Sequence, residues 1–277
     1  MLLRVLSAAL GIPLYIIVCL QGTRAFAIGI SIFAIISIFE LLKTYWTQKI
    51  RPSLFLSFLG LMFPAWTLLT PYFEWRHLVI FILSAVFFAI IWEVFKAGIS
   101  GEMHAARNIG YGMLTGSYIS LYGGLTTLRA HSGLVYSGLF PQMEFGAALV
   151  LLVALCTWAT DTSALFVGKA WGKTKLAPHL SPHKTIEGAF GGLAGAIVAG
   201  IFFGIMLMGS WKWGMLVGII AGIFGQIGDL FESALKREAG VKDFGNVVPG
   251  HGGALDRFDS LIFASGVLSL LVYLAIK

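Results

Sequence analysis

Long apolar runs alternate with short polar connections along this chain, nine times in all. The runs fall at about 3–20, 25–42, 53–70, 77–95, 108–125, 145–168, 187–209, 213–235 and 255–276. Each approaches the roughly 20 residues a helix needs to cross a hydrocarbon core of roughly 30 Å. Inside such a core every backbone N–H and C=O must be satisfied within the segment, which selects helix. The pattern predicts an all-α, polytopic membrane protein with about nine transmembrane helices. The fifth run is the least apolar, being rich in glycine and serine. The first is followed by Gln21-Gly22-Thr23-Arg24, which is not a small-residue cleavage site, so it reads as a retained span.

Composition agrees with the pattern. The chain is 58% hydrophobic and 12% charged, which excludes the balance of an ordinary soluble domain. Fourteen of the 19 lysines and arginines fall in alternate connections on one side of the nine runs, the side of Lys43, Lys96, Lys173 and Lys236. The positive-inside bias then puts the N-terminus in the cytoplasm and the C-terminus outside. The net charge of +6 is thereby topological and implies no nucleic-acid partner. Cys19 and Cys156 both lie within apolar runs and give no disulfide framework.

The acidic residues divide the chain. Residues 1–144 hold only glutamates, and every aspartate lies beyond them, from Asp161 to Asp259. This predicts a transmembrane scaffold, with a possible role in oligomerisation, over 1–144 and a transmembrane catalytic region over 145–277. In the scaffold, Glu40 and Glu93 are each followed three residues on by Lys43 and Lys96, and local pairing accounts for both. Small residues four apart, such as Gly200/Gly204 and Gly218/Gly222, predict close helix packing within one subunit.

Three junctions between loop and apolar run carry the candidate chemistry, all on the predicted cytoplasmic side. The first runs from Asp161 to Gly188 and holds Lys173, Ser181, His183, Lys184 and Glu187. Gly172-Lys173-Thr174 resembles the end of a P-loop, but the glycine spacing is one residue short and an apolar run precedes it instead of a strand. Ser181 and Glu187 suit a helix cap as well as a binding role. The second junction holds Asp229 and Glu232 on one helix face, with Lys236 and Arg237 after them. Glu232 and Lys236 have the spacing of a simple ion pair, whereas Asp229 has no obvious local partner and is flanked by Gly225 and Gly228. The third is Pro249-Gly250-His251-Gly252-Gly253-Ala254-Leu255-Asp256-Arg257-Phe258-Asp259, a turn opening onto the last apolar run. Two aspartates in its first turns exceed what dipole complementarity needs. Carboxylates beside basic groups at a membrane interface suit a divalent metal and a phosphate chain, hence phosphoryl or nucleotidyl transfer on a lipid. The competing class is a secondary transporter with midplane acids; clustering at one interface counts against it.

Ser233-x-Leu235-Lys236-Arg237, Lys242-Asp243, Pro249-x-His251-Gly252-Gly253 and Asp256-Arg257-x-Asp259 closely resemble the signature of the phosphatidate cytidylyltransferases, the CDP-diacylglycerol synthases. The resemblance covers roughly 161–260, with Val248 and Ala254 departing mildly from the pattern. It implies attack of phosphatidate on the α-phosphorus of CTP, release of pyrophosphate, Mg²⁺ dependence, and a homodimer in the cell (inner) membrane with its site facing the cytoplasm. It implies Asp229 and Asp256 as first metal ligands, with Asp259 and Asp161 in support. Lys236, Arg237, His251 and Arg257 are the other expected catalytic residues. Lys173, Ser181, Lys184, Lys242, Gly252 and Gly253 are the expected phosphate-binding set. A CTP-dependent enzyme acting on an ether lipid or a polyprenol is the alternative within this chemistry.

Overall fold

A computed structural model describes residues 2–69, 75–100, 104–131, 134–135, 139–140, 143–247 and 252–275 of the chain. All nine apolar runs are helical there, three of them interrupted. The first two form α1 (Leu2–Leu20) and α2 (Thr23–Thr47). The third is broken at Gly60 and Leu61 into α3 (Leu54–Leu59) and α4 (Met62–Leu69). Then come α5 (Trp75–Ser100), α6 (Ala105–Ser120) and α7 (Tyr122–Arg129), the last two built from the glycine-rich run and its continuation. The remaining runs give α8 (Phe145–Trp171), α9 (Ile186–Met208), α10 (Trp211–Ile220), α11 (Gln226–Glu238) and α12 (Leu255–Ala275).

Between α10 and α11 the ladder widens into a π-helical turn at Ala221–Gly225. Among the described residues, five segments are long and apolar enough to cross a membrane: Thr23–Thr47, Phe145–Trp171, Ile186–Met208, Trp211–Glu238 and Leu255–Leu274. The chain is therefore a mostly helical, polytopic membrane protein. The all-α expectation needs one correction. Two small antiparallel hairpins are present, β1 (Leu134–Val135) with β2 (Met143–Glu144), and β3 (Lys175–Ala177) with β4 (Ser181–Thr185). The second stands where the sequence suggested only loop, because its ends are held by the helices α8 and α9.

The core gathers around α2, α7, α8 and α12, where Ile38, Leu42, Tyr122, Leu149, Leu152, Leu255 and Ile262 are buried. Glycine sets the closest crossing. A Cβ at Gly200 on α9 would strike the carbonyl oxygen of Gly214 on α10, so the predicted small-residue stripe packs helices within one chain. By contrast α5 leaves Leu83, Phe87, Ile91 and Phe95 exposed, an apolar surface suited to lipid. Two buried polar contacts tie the helices together. Arg129, 1% exposed, donates from Nε to the Cys19 carbonyl at 2.7 Å and pairs with Glu144. Ser37 and Tyr122 share a hydroxyl hydrogen bond of 2.8 Å. A cavity of about 1070 Å³ between α3, α4 and α5 is lined by Phe55, Phe58, Leu59 and Phe88. None of its lining residues belongs to the charged junctions.

Candidate functional site

Helices α11 and α12 cross where Gly228 faces the start of the last helix. A Cβ there would lie 2.7 Å from the Asp259 carbonyl oxygen and 2.9 Å from Phe263, so only glycine permits the approach. The approach brings Asp229 and Glu232, one turn apart on α11, against Asp259 on α12. One carboxylate oxygen from each of the three lies within 4.8 Å of the others. The π-helical turn immediately precedes Gln226, and such turns often mark functional positions because they re-aim the residues that follow. Gln226 stabilises it by donating from Nε2 to the carbonyls of Gly222 (2.5 Å) and Ala189 (3.1 Å).

Two lysines contact this acidic group. Lys184 on β4 reaches Asp229 Oδ2 at 2.5 Å, both side chains being about one-third exposed or less. The β3–β4 hairpin is what brings it there, and Arg237 holds the hairpin by donating from Nε to the Leu180 carbonyl at 3.1 Å. Lys236 lies deeper. Its Nζ stands 2.6 Å from Glu232 Oε2 and 2.7 Å from Asp256 Oδ1, and both carboxylates are 1% exposed. The Glu232–Lys236 pair expected from spacing is therefore present, but Glu232 also belongs to the acidic group.

Asp256 has a different occupation from the other acids. Oδ1 accepts from Lys236, while Oδ2 accepts from the amides of Gly253 (2.7 Å) and Phe244 (3.2 Å). With both oxygens engaged, it stands outside the three-carboxylate group and closes the loop that leads into α12. Gly252 in that loop has φ of +87°, a conformation glycine adopts without strain. Asp161 on α8 is exposed, and Asp229, Asp259, Lys184 and Arg257 lie close enough to act on it electrostatically. Arg257, Lys173 and Lys242 are exposed, and Ser181 is partly buried in β4. His251 lies outside the described residues.

The Gly172–Thr174 segment carries no anion cradle. The amides of Lys173 (3.0 Å) and Thr174 (3.1 Å) are taken by the carboxylate of Glu187, and Thr185 Oγ1 caps α9 by accepting from Gly188 at 3.1 Å. Glu187 is thus a structural clasp, and the rejection of a P-loop has a geometric reason.

The donor set fits a divalent cation. Four carboxylates (Asp229, Glu232, Asp256 and Asp259) meet two ammonium groups, leaving about two negative charges when all are ionised. Glu232 Oε1 is buried with no hydrogen-bond partner. A buried carboxylate oxygen without a partner is costly, and a hard cation ligated by oxygen removes that cost. The resemblance implied Asp229 and Asp256 as first ligands, with Asp259 and Asp161 in support, whereas the acidic group contains Asp229 and Asp259 but neither Asp256 nor Asp161. Spacing missed Glu232 as a member of the group, although the shared face with Asp229 was the available signal.

Residues 2–275 match the model of a family described as the cytidylyltransferase family. Proteins named phosphatidate cytidylyltransferase are among the chain's relatives. That of Bacillus subtilis (strain 168) is 44% identical over 133 residues, 47% of this chain and 49% of the relative. That of Staphylococcus haemolyticus (strain JCSC1435) is 44% identical over 146 residues, 52% of this chain and 56% of the relative. That of Staphylococcus aureus (strain COL) is 43% identical over 148 residues, with the same shares of 52% and 56%. The chain thus spans about half the length of the curated relatives it matches.

Proposed function

Because the chain belongs to the cytidylyltransferase family, we propose that it transfers the cytidylyl group of CTP to phosphatidate, giving CDP-diacylglycerol and pyrophosphate. The observation that carries this reading is the group formed by Asp229, Glu232 and Asp259, with Lys184 and Lys236 against it. That the relatives are phosphatidate cytidylyltransferases by name supports the choice of phosphatidate over an ether lipid or a polyprenol.

The chemistry asks little of a side-chain nucleophile. A phosphate oxygen of phosphatidate, already anionic near neutral pH, forms the new bond to the α-phosphorus. The bond from that phosphorus to the bridging oxygen breaks, and pyrophosphate leaves with the electron pair. Catalysis is then alignment and charge neutralisation. Asp229, Glu232 and Asp259 would be the oxygen donors for Mg²⁺, which when bound would supply positive charge to neutralise the phosphates. Lys236 holds the Glu232 carboxylate in position and Asp256 holds Lys236. Lys184 sits at the partly exposed edge of the group, where it can pass from Asp229 to a phosphate oxygen. Arg257, Lys173 and Lys242 are exposed cations suited to the remaining phosphates, and Ser181, Arg237, Gly252 and Gly253 shape the loops that face them. Asp161 supports the site electrostatically. The proposal retains nine spans with the N-terminus in the cytoplasm, an inner-membrane homodimer, a scaffold over 1–144 and a catalytic region over 145–277.

Purified protein given CTP labelled at the α-phosphate, phosphatidate and Mg²⁺ is expected to form a labelled CDP-lipid with stoichiometric pyrophosphate. Chelation with EDTA abolishes the reaction and added Mg²⁺ restores it. A labelled product lacking cytidine, or undiminished turnover in EDTA, refutes the assignment.

Topology has its own test. Cys19 and Cys156 are buried and free, so replacing both gives a thiol-free background. Single cysteines at Lys175 and Lys242 are expected to resist an impermeant thiol reagent in intact cells and to react once the membrane is opened. A cysteine at Ser132, in the connection predicted to be external, reacts in both. Labelling of the first two in intact cells overturns the orientation.

A further inference from the structure

We propose that Glu40, on α2 in the N-terminal half, is a positioning residue for the catalytic centre, clasping the backbone from which Asp256 and Asp259 project. The proposal rests on the cytidylyl-transfer reading of the acidic group. Spacing assigned Glu40 to a local pair with Lys43, yet in the fold Lys43 is exposed and Glu40 is 6% exposed. Its two oxygens reach across the chain. Oε1 accepts from the Ala254 amide at 3.0 Å and Oε2 from the Leu255 amide at 3.1 Å. These amides open α12, where helix N–H groups have no intrahelical acceptor and favour an anion. A carboxylate taking one hydrogen bond on each oxygen fixes both position and orientation, and each bond is charge-assisted.

The loop is shaped around this carboxylate. A Cβ at Gly253 would lie 2.6 Å from Glu40 Oε2, and one at Gly245 would collide with Oε1. Both glycines therefore leave room that Glu40 fills from a helix more than two hundred residues away in sequence. Asp256 adds a second set of bonds, accepting from the amides of Gly253 and Phe244. Two buried carboxylates from different halves of the chain thus hold Phe244 and residues 253–255. The connection continues through Asp256 to Lys236 and from Lys236 to Glu232. A small displacement at the start of α12 is transmitted to Asp259 by the helix and to Glu232 by the lysine.

Glu40→Gln tests this, since it keeps the shape and one acceptor oxygen while turning an N–H₂ group toward the second amide. Ser37→Ala on the same helix, which removes the bond to Tyr122, controls for general damage to α2. Wild-type and variant proteins in detergent are compared by hydrogen exchange, melting, and CTP-plus-phosphatidate turnover across a Mg²⁺ series. Glu40→Gln is expected to melt within a few degrees of Ser37→Ala and to exchange the amides of residues 254–255 about tenfold faster or more. Its kcat falls about ten- to hundredfold, and its half-saturating Mg²⁺ rises several-fold. Ser37→Ala retains wild-type exchange in this segment and wild-type Mg²⁺ response. A purely structural role for Glu40 lowers the yield of folded protein but leaves kcat and Mg²⁺ response of the folded fraction unchanged, and that result overturns the proposal. So does wild-type exchange at Ala254 and Leu255. If Glu40→Gln does not accumulate, Glu40→Asp keeps the charge on a side chain one methylene shorter. Wild-type exchange and kcat in that variant also overturn the proposal. Absence of cytidylyl transfer by the wild-type protein refutes the functional reading instead, and the exchange measurement still decides whether Glu40 holds the loop.

Discussion

Asp259→Asn is expected to lower turnover with CTP and phosphatidate by about a thousandfold or more, equivalent to roughly 4 kcal/mol of lost transition-state stabilisation. The same variant remains folded. Asp259, Asp229 and Glu232 bring like charges within 4.8 Å of one another, and such a group strains the fold unless a cation balances it. Replacing one carboxylate by an amide of nearly the same shape removes repulsion and removes a ligand together. In EDTA, Asp259→Asn is therefore expected to melt at or above the wild-type temperature. Adding Mg²⁺ raises the wild-type melting temperature by mass action on the folded state and leaves that of Asp259→Asn nearly unmoved. Asp229→Asn and Glu232→Gln likewise lose turnover and the Mg²⁺-dependent rise, but each also removes the partner of a lysine, Lys184 or Lys236, so neither is expected to gain stability in EDTA. Asp256→Asn also inactivates, but it melts below wild type, because its carboxylate accepts from Lys236, Gly253 and Phe244. A Mg²⁺-dependent rise in Asp259→Asn equal to that of wild type, or retention of a tenth of the activity, removes Asp259 from the ligand set.

The contrast between Asp256 and Asp259 explains what the sequence was able to reveal. The long apolar runs located the helical segments, five of which are long and apolar enough among the described residues to cross a membrane, because membrane burial writes itself into composition directly. The three charged junctions stood out for the same reason: ionisable groups are rare in such a chain and need a use. Division of labour among them depends on partners that no local spacing encodes. Asp256 and Asp259 sit in the same motif one turn apart, yet backbone amides of residues 244 and 253 occupy only the first. Lys184 meets Asp229 because the β3–β4 hairpin folds back, and short strands inside a polar loop leave almost no periodic signal. Glu232 was assigned to Lys236 correctly by the i, i+4 rule, which then concealed its second neighbours. Glu40 was hidden most completely, since a nearby lysine offered a sufficient local account while its real partners lie 214 and 215 residues away.

Lys236→Met is expected to cost more stability than any other single change at the site. The lysine side chain is 15% exposed and its ammonium lies within 2.7 Å of two carboxylates that are each 1% exposed. Methionine keeps the length and apolar volume of the stem, so packing is nearly preserved and the loss is electrostatic. Two buried carboxylates are left without their counter-charge, and breaking a buried pair in this way costs about 3–5 kcal/mol. The melting temperature accordingly falls on the order of 10 °C, and turnover is lost because Glu232 and the α12 loop both lose their tether. Glu232→Gln added to Lys236→Met removes one of the stranded charges. The double variant is therefore expected to recover part of the melting temperature without recovering turnover. Thermal unfolding of the four proteins in one detergent, with EDTA present throughout, measures the coupling as a double-mutant cycle. A Lys236→Met protein that melts within a degree or two of wild type, or a double variant less stable than the single one, would falsify the role of Lys236 as the buried counter-ion joining Glu232 to Asp256.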